Sequence, residues 1–195
     1  MYSPERQDLP GIQLLRLARG SIEYGLIQGK PLPIDCDKLP RALTELRATF
    51  TTLRSKGKLR GCCGTLEASL PLAVDAARSA FQAAYRDSRF DPVGQHEFED
   101  IRLEISVLSP LESMVVTNET DLLEQLMPGT DGLVIIEDWR RATFLPKVWE
   151  SCRNRVISWR SSNPNADYRK IIGQSEWNSS ATTPHRTQNW SNPAS

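Results

Sequence analysis

The chain has 195 residues, enough to bury a core of its own and within the size of one domain, and its 24 Lys and Arg balance its 24 Asp and Glu. That balance excludes a global basic field, so nucleic acid or an anionic membrane would have to be bound through a local patch. No apolar run approaches the roughly 18–20 residues that span a bilayer, and the opening Met1-Tyr-Ser-Pro-Glu-Arg lacks a charged-then-apolar secretory layout, so the expected location is cytoplasmic, with no membrane partner.

Asp8-Leu9-Pro10 supplies a cap candidate and a proline suited to a first helical turn. Leu15, Ala18, Ile22 and Leu26 then recur at helical spacing up to Gly29. Pro31 to Pro40 is a proline-punctuated connection. Ala48 to Arg54, rich in β-branched and aromatic residues, predicts a strand ending in the turn Ser55-Lys56-Gly57-Lys58, and Leu59 to Thr65 pairs back as a second strand. From Pro71 to Arg86, Val74, Ala77, Phe81, Ala84 and Tyr85 fall on one helical face. Ile101, Leu103, Ile105 and Val107 alternate with Arg102, Glu104, Ser106 and Leu108, which predicts a half-buried strand with Glu104 and Ser106 on the same side. Asn118 caps a short helix through Leu126 that Pro128-Gly129 ends. Gly132 to Glu137 and Arg141 to Leu145 read as a hairpin. Strands and helices mix without strict βαβ alternation, so the fold class is α+β with a mixed or antiparallel sheet.

The four cysteines, Cys36, Cys62, Cys63 and Cys152, form neither a CxxC pair nor a disulfide framework, and there are only two histidines, His96 and His185; no metal and no cofactor are expected. Thiols react as thiolates, and a nearby cation favours that form, so Cys62, two residues after Arg60, is the candidate nucleophile. The competing reading makes Cys62 a small filler in a glycine-rich strand. Strand alternation sets Arg60, Cys62 and Gly64 on one face and Gly61, Cys63 and Thr65 on the other, so one cysteine should be buried. Glu104 is the candidate base, or the group that orients substrate. Arg141 with Thr143 could hold an anionic group. Arg54, Lys56, Lys58 and Arg60 with Arg140 could compose a local basic patch for RNA or a nucleotide.

Phe50-Thr-Thr-Leu, Lys58-Leu-Arg-Gly-Cys-Cys-Gly-Thr-Leu-Glu-Ala68, Ala83-Ala-Tyr-Arg-Asp-Ser-Arg-Phe90, Leu103-Glu-Ile-Ser-Val-Leu-Ser-Pro110, Asp131-Gly-Leu133 and Arg141-Ala-Thr-Phe-Leu-Pro-Lys-Val-Trp-Glu150 together closely resemble the AmmeMemoRadiSam system protein A family, also called AMMECR-type domains. The resemblance implies a compact α+β domain with two sub-parts around a cleft, the Leu-Arg-Gly-Cys strand lying near it. It also implies coupling to a Memo-type protein and a radical SAM protein. Carried over by residue, it marks Arg60, Gly61, Cys62, Gly64 and Thr65, then Glu104 and Ser106, then Arg141, Thr143, Phe144 and Pro146. Cys63 stands where an aliphatic residue is commoner, and Ser79 where asparagine is frequent.

Three functions stay open. One is a cysteine-dependent accessory enzyme in which Cys62 attacks, Arg60 lowers its pKa and Glu104 deprotonates or orients substrate; another is a non-catalytic module in which Arg60 and Arg141 hold an anionic ligand or a partner; the third is RNA or nucleotide binding through the basic hairpin. The expected domain is 1–150. Residues 151–195 form an atypical Ser/Asn/Thr-rich tail whose tryptophans follow no helical or strand period. Read from the third base of each codon, that stretch can encode the family's usual continuation. The expectation is a C-terminal frameshift, which the gene's nucleotide sequence tests.

Overall fold

The structure is a computed structural model that describes residues 10–127, 130–137, 140–144 and 167–174. Helix α1 (Pro10–Gln28) starts on a proline, whose fixed φ suits the first turn, and buries Leu14, Ala18 and Ile22 with Ser21 and Gly25. It stops at Gly29, which takes φ 65°, the left-handed geometry that closes a helix. A one-turn 3-10 helix at Cys36–Lys38 and the short α2 (Arg41–Thr44) carry the chain into the sheet. Strands β1 (Ala48–Ser55) and β2 (Lys58–Gly64) are joined by Lys56 and Gly57, both at positive φ, as a two-residue hairpin turn requires to match strand twist.

Helix α3 (Leu72–Tyr85) departs from the single apolar face expected of it. Ten of its residues are buried, including Ala73, Ala76, Ala80 and Ala83, whereas Val74 is only half-buried. The cause is its position: α3 packs on α1 on one side and on β1 and β2 on the other, and alanines let it approach both. Tyr85 donates from its hydroxyl to the Ile22 carbonyl of α1 at 2.7 Å.

The remaining elements are β3 (Ile101–Leu108), β4 (Glu112–Met114), α4 (Glu119–Gln125), β5 (Asp131–Glu137), β6 (Arg140–Phe144) and β7 (Asp167–Gln174). Asn118 caps α4 as its sequence predicts, its side-chain oxygen accepting from the Asp121 N–H at 3.0 Å. The strands run β2-β1-β3-β7-β5-β6, with β4 on β7, and every recorded pairing is antiparallel. Ser109-Pro110 separates β3 from β4 along one edge of β7, proline being unable to donate to a ladder. Two strands went unmarked in the sequence. They are β4, only three residues long, and β7, which lies beyond position 150.

One hydrophobic cluster joins α1 and α3 to Leu53, Ile101, Leu103 and Ile105; another joins Leu122 and Leu126 of α4 to Leu133 and Ile135 of β5. These are the two sub-parts of the α+β fold. A third, smaller group, Ala48, Leu108 and Val134, links them. No helix among the described residues is long and apolar enough to cross a membrane. Pro128-Gly129, Leu145 to Glu150, Cys152 and His185 lie outside the described residues.

Candidate functional site

Strands β1 and β3 sort their side chains cleanly. Thr49, Thr51, Leu53, Ile101, Leu103 and Ile105 are buried, on the sheet face that α1 and α3 cover. Ala48, Phe50, Thr52 and Arg54 of β1, with Leu108, Ser106, Glu104 and Arg102 opposite them on β3, line the other face. That second face is a gradient. At one end Ala48, Phe50 and Leu108 pack with Val134 and Ile136 of β5; toward the hairpin it turns polar and less covered, ending at exposed Arg102.

Cys62, Thr52 and Glu104 form one cross-strand row on this face, Thr52 pairing with Cys62 on one side and Glu104 on the other. The Thr52 hydroxyl is 3.7 Å from the Cys62 thiol. Ser106 sits in the adjacent row, opposite Phe50. Three of the residues expected at a site, Cys62, Glu104 and Ser106, are thus brought onto one face, and Thr52 joins them unanticipated.

The other residues of the motif hold the strand in place. Arg60 breaks the expected alternation, because the register slips there: Leu53 pairs with Gly61 but Arg54 with Leu59, leaving Arg60 as the extra residue of a bulge. Its guanidinium grips Glu97 through two bonds, at 2.9 and 2.7 Å. The Arg60 charge is therefore paired with a carboxylate. Glu97 is in turn set beside a 3-10 turn that Arg19 of α1 ties down, donating to the Phe98 and Ile101 carbonyls. Gly61 lies under α3, where any β-carbon would collide with the Ala83 carbonyl; at Gly64 it would meet Phe50 and the Thr49 carbonyl. Thr65 donates its hydroxyl to Asp75 at 2.9 Å, the buried carboxylate that also accepts from the Thr49 amide and hydroxyl.

Cys63 faces α3, its thiol donating to Gln82 at 3.3 Å, and burial pushes that thiol's pKa up. Neither neighbouring cysteine is fully buried, contrary to the expectation for one of them; both are half-buried on opposite faces. Directly after α3, Asp87 accepts from the Cys62 backbone N–H at 2.9 Å and from Arg89 through two side-chain bonds. Arg89 and Arg60 both lie over the Phe90 ring, at 5.5 and 6.0 Å, and with Ser88 and Asp91 they line a depression of about 400 Å³. Asp87, Arg89 and Glu97 were missed in the sequence. The signal for the first two was an acid and an arginine two apart just past a helix end, a spacing that makes a local ion pair.

Arg141 and Thr143 lie on β6, opposite Ile136 and Val134, at the far end of the strand order from β2. Arg60 and Arg141 thus stand on strands five steps apart in the sheet order. Arg140, on the same strand, is four to five strand steps from the Arg54–Lys58 hairpin.

Comparison with known proteins sets this geometry among relatives. The AMMECR1 family model matches residues 15–183, a span that runs past position 150. A protein from Methanothermobacter thermautotrophicus is 39% identical over 147 residues, covering 75% of this chain and 76% of its own. One from Methanocaldococcus jannaschii is 36% identical over 140 residues, covering 71% and 68%. The crystal structure of the uncharacterized protein PH0010 from Pyrococcus horikoshii superimposes with a TM-score of 0.73 at 27% identity, covering 83% of this chain and 88% of that one. Helices on an antiparallel sheet, the Arg-Gly-Cys strand and these matches lead to one conclusion: the chain belongs to the AMMECR1 family.

Proposed function

We propose that the protein is a cysteine-dependent accessory enzyme working on the polar face of its sheet. The observation that carries the reading is the row Cys62, Thr52, Glu104. A thiol needs a proton acceptor to become a nucleophile, and neither histidine is in the row, so the acceptor is Glu104, reached through the Thr52 hydroxyl. In the step, the thiol proton passes to Thr52 as the Thr52 proton passes to the Glu104 carboxylate. The sulfur lone pair forms the new bond to an electrophilic carbon of the substrate, and the leaving group departs with its bonding electrons. Arg60 is a positioning residue in this reading: with Glu97 it fixes the bulge that starts the Gly61-Cys62 stretch. The Memo-type and radical SAM partners belong to the same proposal and rest on the family resemblance alone.

The test is alkylation by iodoacetamide at neutral pH, followed residue by residue by mass spectrometry. Cys62 is expected to react about tenfold faster than Cys63, whose thiol is turned into the protein and held protonated, and Glu104→Gln is expected to slow Cys62 selectively. A Cys62 that reacts no faster than Cys63 would sink the enzyme reading.

A second reading is favoured by one observation: the cations flanking Cys62 in sequence and space, Arg60 and Arg89, are each matched by a carboxylate. An unactivated thiol would suit a module that binds without reacting, and slow alkylation would select it.

A further inference from the structure

Arg54 and Arg102 are direct cross-strand partners on the polar face, in the β1–β3 register. Residues so paired have β-carbons about 4.5–5.5 Å apart, and like charges there repel. Elsewhere this fold matches single arginines with carboxylates, Arg60 with Glu97 and Arg89 with Asp87. Among the described residues neither Arg54 nor Arg102 has an ion-pair partner. Lys56 and Lys58 at the adjoining hairpin tip add further positive charge and are also without one.

Arg54 follows Thr52 by one step on the same face, and Arg102 precedes Glu104 by one step. Two residues along a strand and one strand across amount to about 8 Å between the backbones at Cys62 and Arg54. Two guanidinium forks side by side present more donors than one carboxylate can use, and they suit the several oxygens and multiple charge of a phosphoryl group. The depression by Phe90 is a poorer anion site despite its two arginines, since Glu97, Asp87 and Asp91 outnumber them.

We propose that the Arg54–Arg102 pair is a binding site for the phosphate group of a small-molecule substrate, holding its electrophilic part toward Cys62. The link to Cys62 rests on the enzyme reading above; the anion site itself does not. A nucleic-acid strand is the less suited ligand, because the chain's formal net charge is zero and the patch is confined to Arg54, Arg102 and the hairpin-tip lysines.

Two measurements on the full chain test this. The first is calorimetric titration with inorganic pyrophosphate. Binding is expected for the native protein, weakened by about tenfold or more in Arg54→Gln and in Arg102→Gln, and unchanged in Arg78→Gln, where an exposed arginine on α3 is removed as a control. Both test variants relieve like-charge repulsion, so their melting temperatures should match or exceed the native value. Equal pyrophosphate binding by Arg102→Gln and native protein overturns the site, as does an Arg54- and Arg102-dependent affinity for single-stranded RNA without one for pyrophosphate. The second is the rate ratio of iodoacetate to iodoacetamide at Cys62, expected to fall several-fold in either variant. If Cys62 is inert to both reagents while pyrophosphate binding still requires the arginines, the enzyme reading fails and the anion site stands. If Cys62 reacts and the ratio is the same in all proteins, the site does not serve Cys62.

Discussion

Two carboxylates, Asp87 and Glu97, order the ground around β2. Arg89 first, and then the Cys62 amide, hold Asp87 well below the usual carboxylate range; Arg60 lowers Glu97 in the same way. A depressed carboxyl pKa means that the folded chain favours the ionised form, so the stabilisation is present above the unfolded value of about 4 and is lost as pH falls from there toward the native values. The urea midpoint is therefore expected to hold between pH 7 and 5 and to drop below about pH 4, and Asp87→Asn with Glu97→Gln should flatten that drop. An identical acid profile in the double variant would remove these two groups as its cause. Tyr85 works in the other direction, burial pushing its hydroxyl up to about 12, so its contribution is lost at alkaline pH. Alternation made Glu104 and Ser106 legible as one side of their strand, while the register that sets Cys62 beside them came from strand pairing. Alternation carried no information about Asp87 and Glu97, which reach β2 from loops 25 and 37 positions away along the chain.

At the level of elements, the Arg-Gly-Cys stretch is first a docking surface for α3. Gly61 leaves just the room that the Ala83 carbonyl occupies, two residues before α3 ends and four before Asp87. Gly61→Ala is expected to cost about 1–3 kcal/mol, read as a lower denaturant midpoint, with Cys62 alkylation altered because the Asp87 bond to its amide is disturbed. A Gly61→Ala protein as stable as the native one would show that α3 can move away freely. Helices α1 and α3 and strands β1, β2 and β3 were legible because their period repeats over several turns or pairs. β4 is too short to show any period. In β7 the run Tyr168-Arg-Lys-Ile-Ile172 does not alternate, so nothing local distinguishes it as a strand.

Across the whole molecule, β7 lies between the two halves of the sheet. It pairs with β3 through Val107 and Leu108, and with β4 and β5 along most of its length. Each half also has its own apolar cluster, so the halves should differ in their dependence on it. Replacing Ile171, which pairs with Gly132, by proline removes a donor from the ladder. Amide exchange is expected to accelerate at Leu133 to Ile136 while Leu53 and Ile105 keep their protection. Equal loss in both halves would mean one cooperative unit. The composition of residues 151–195 gives no hint of this role, which comes from pairing distant in sequence.

The contact at Gly61 also bears on how the sequence can vary. The atom that excludes a side chain there is the carbonyl oxygen of Ala83, which every residue possesses. Trimming the side chain at position 83 therefore makes no room for a change at 61, and the two positions do not simply exchange bulk. The glycine is tied to the path of a helix and not to the identity of any neighbour, so second-site revertants of Gly61→Ala should map to residues that set the tilt of α3, such as those packing it against α1.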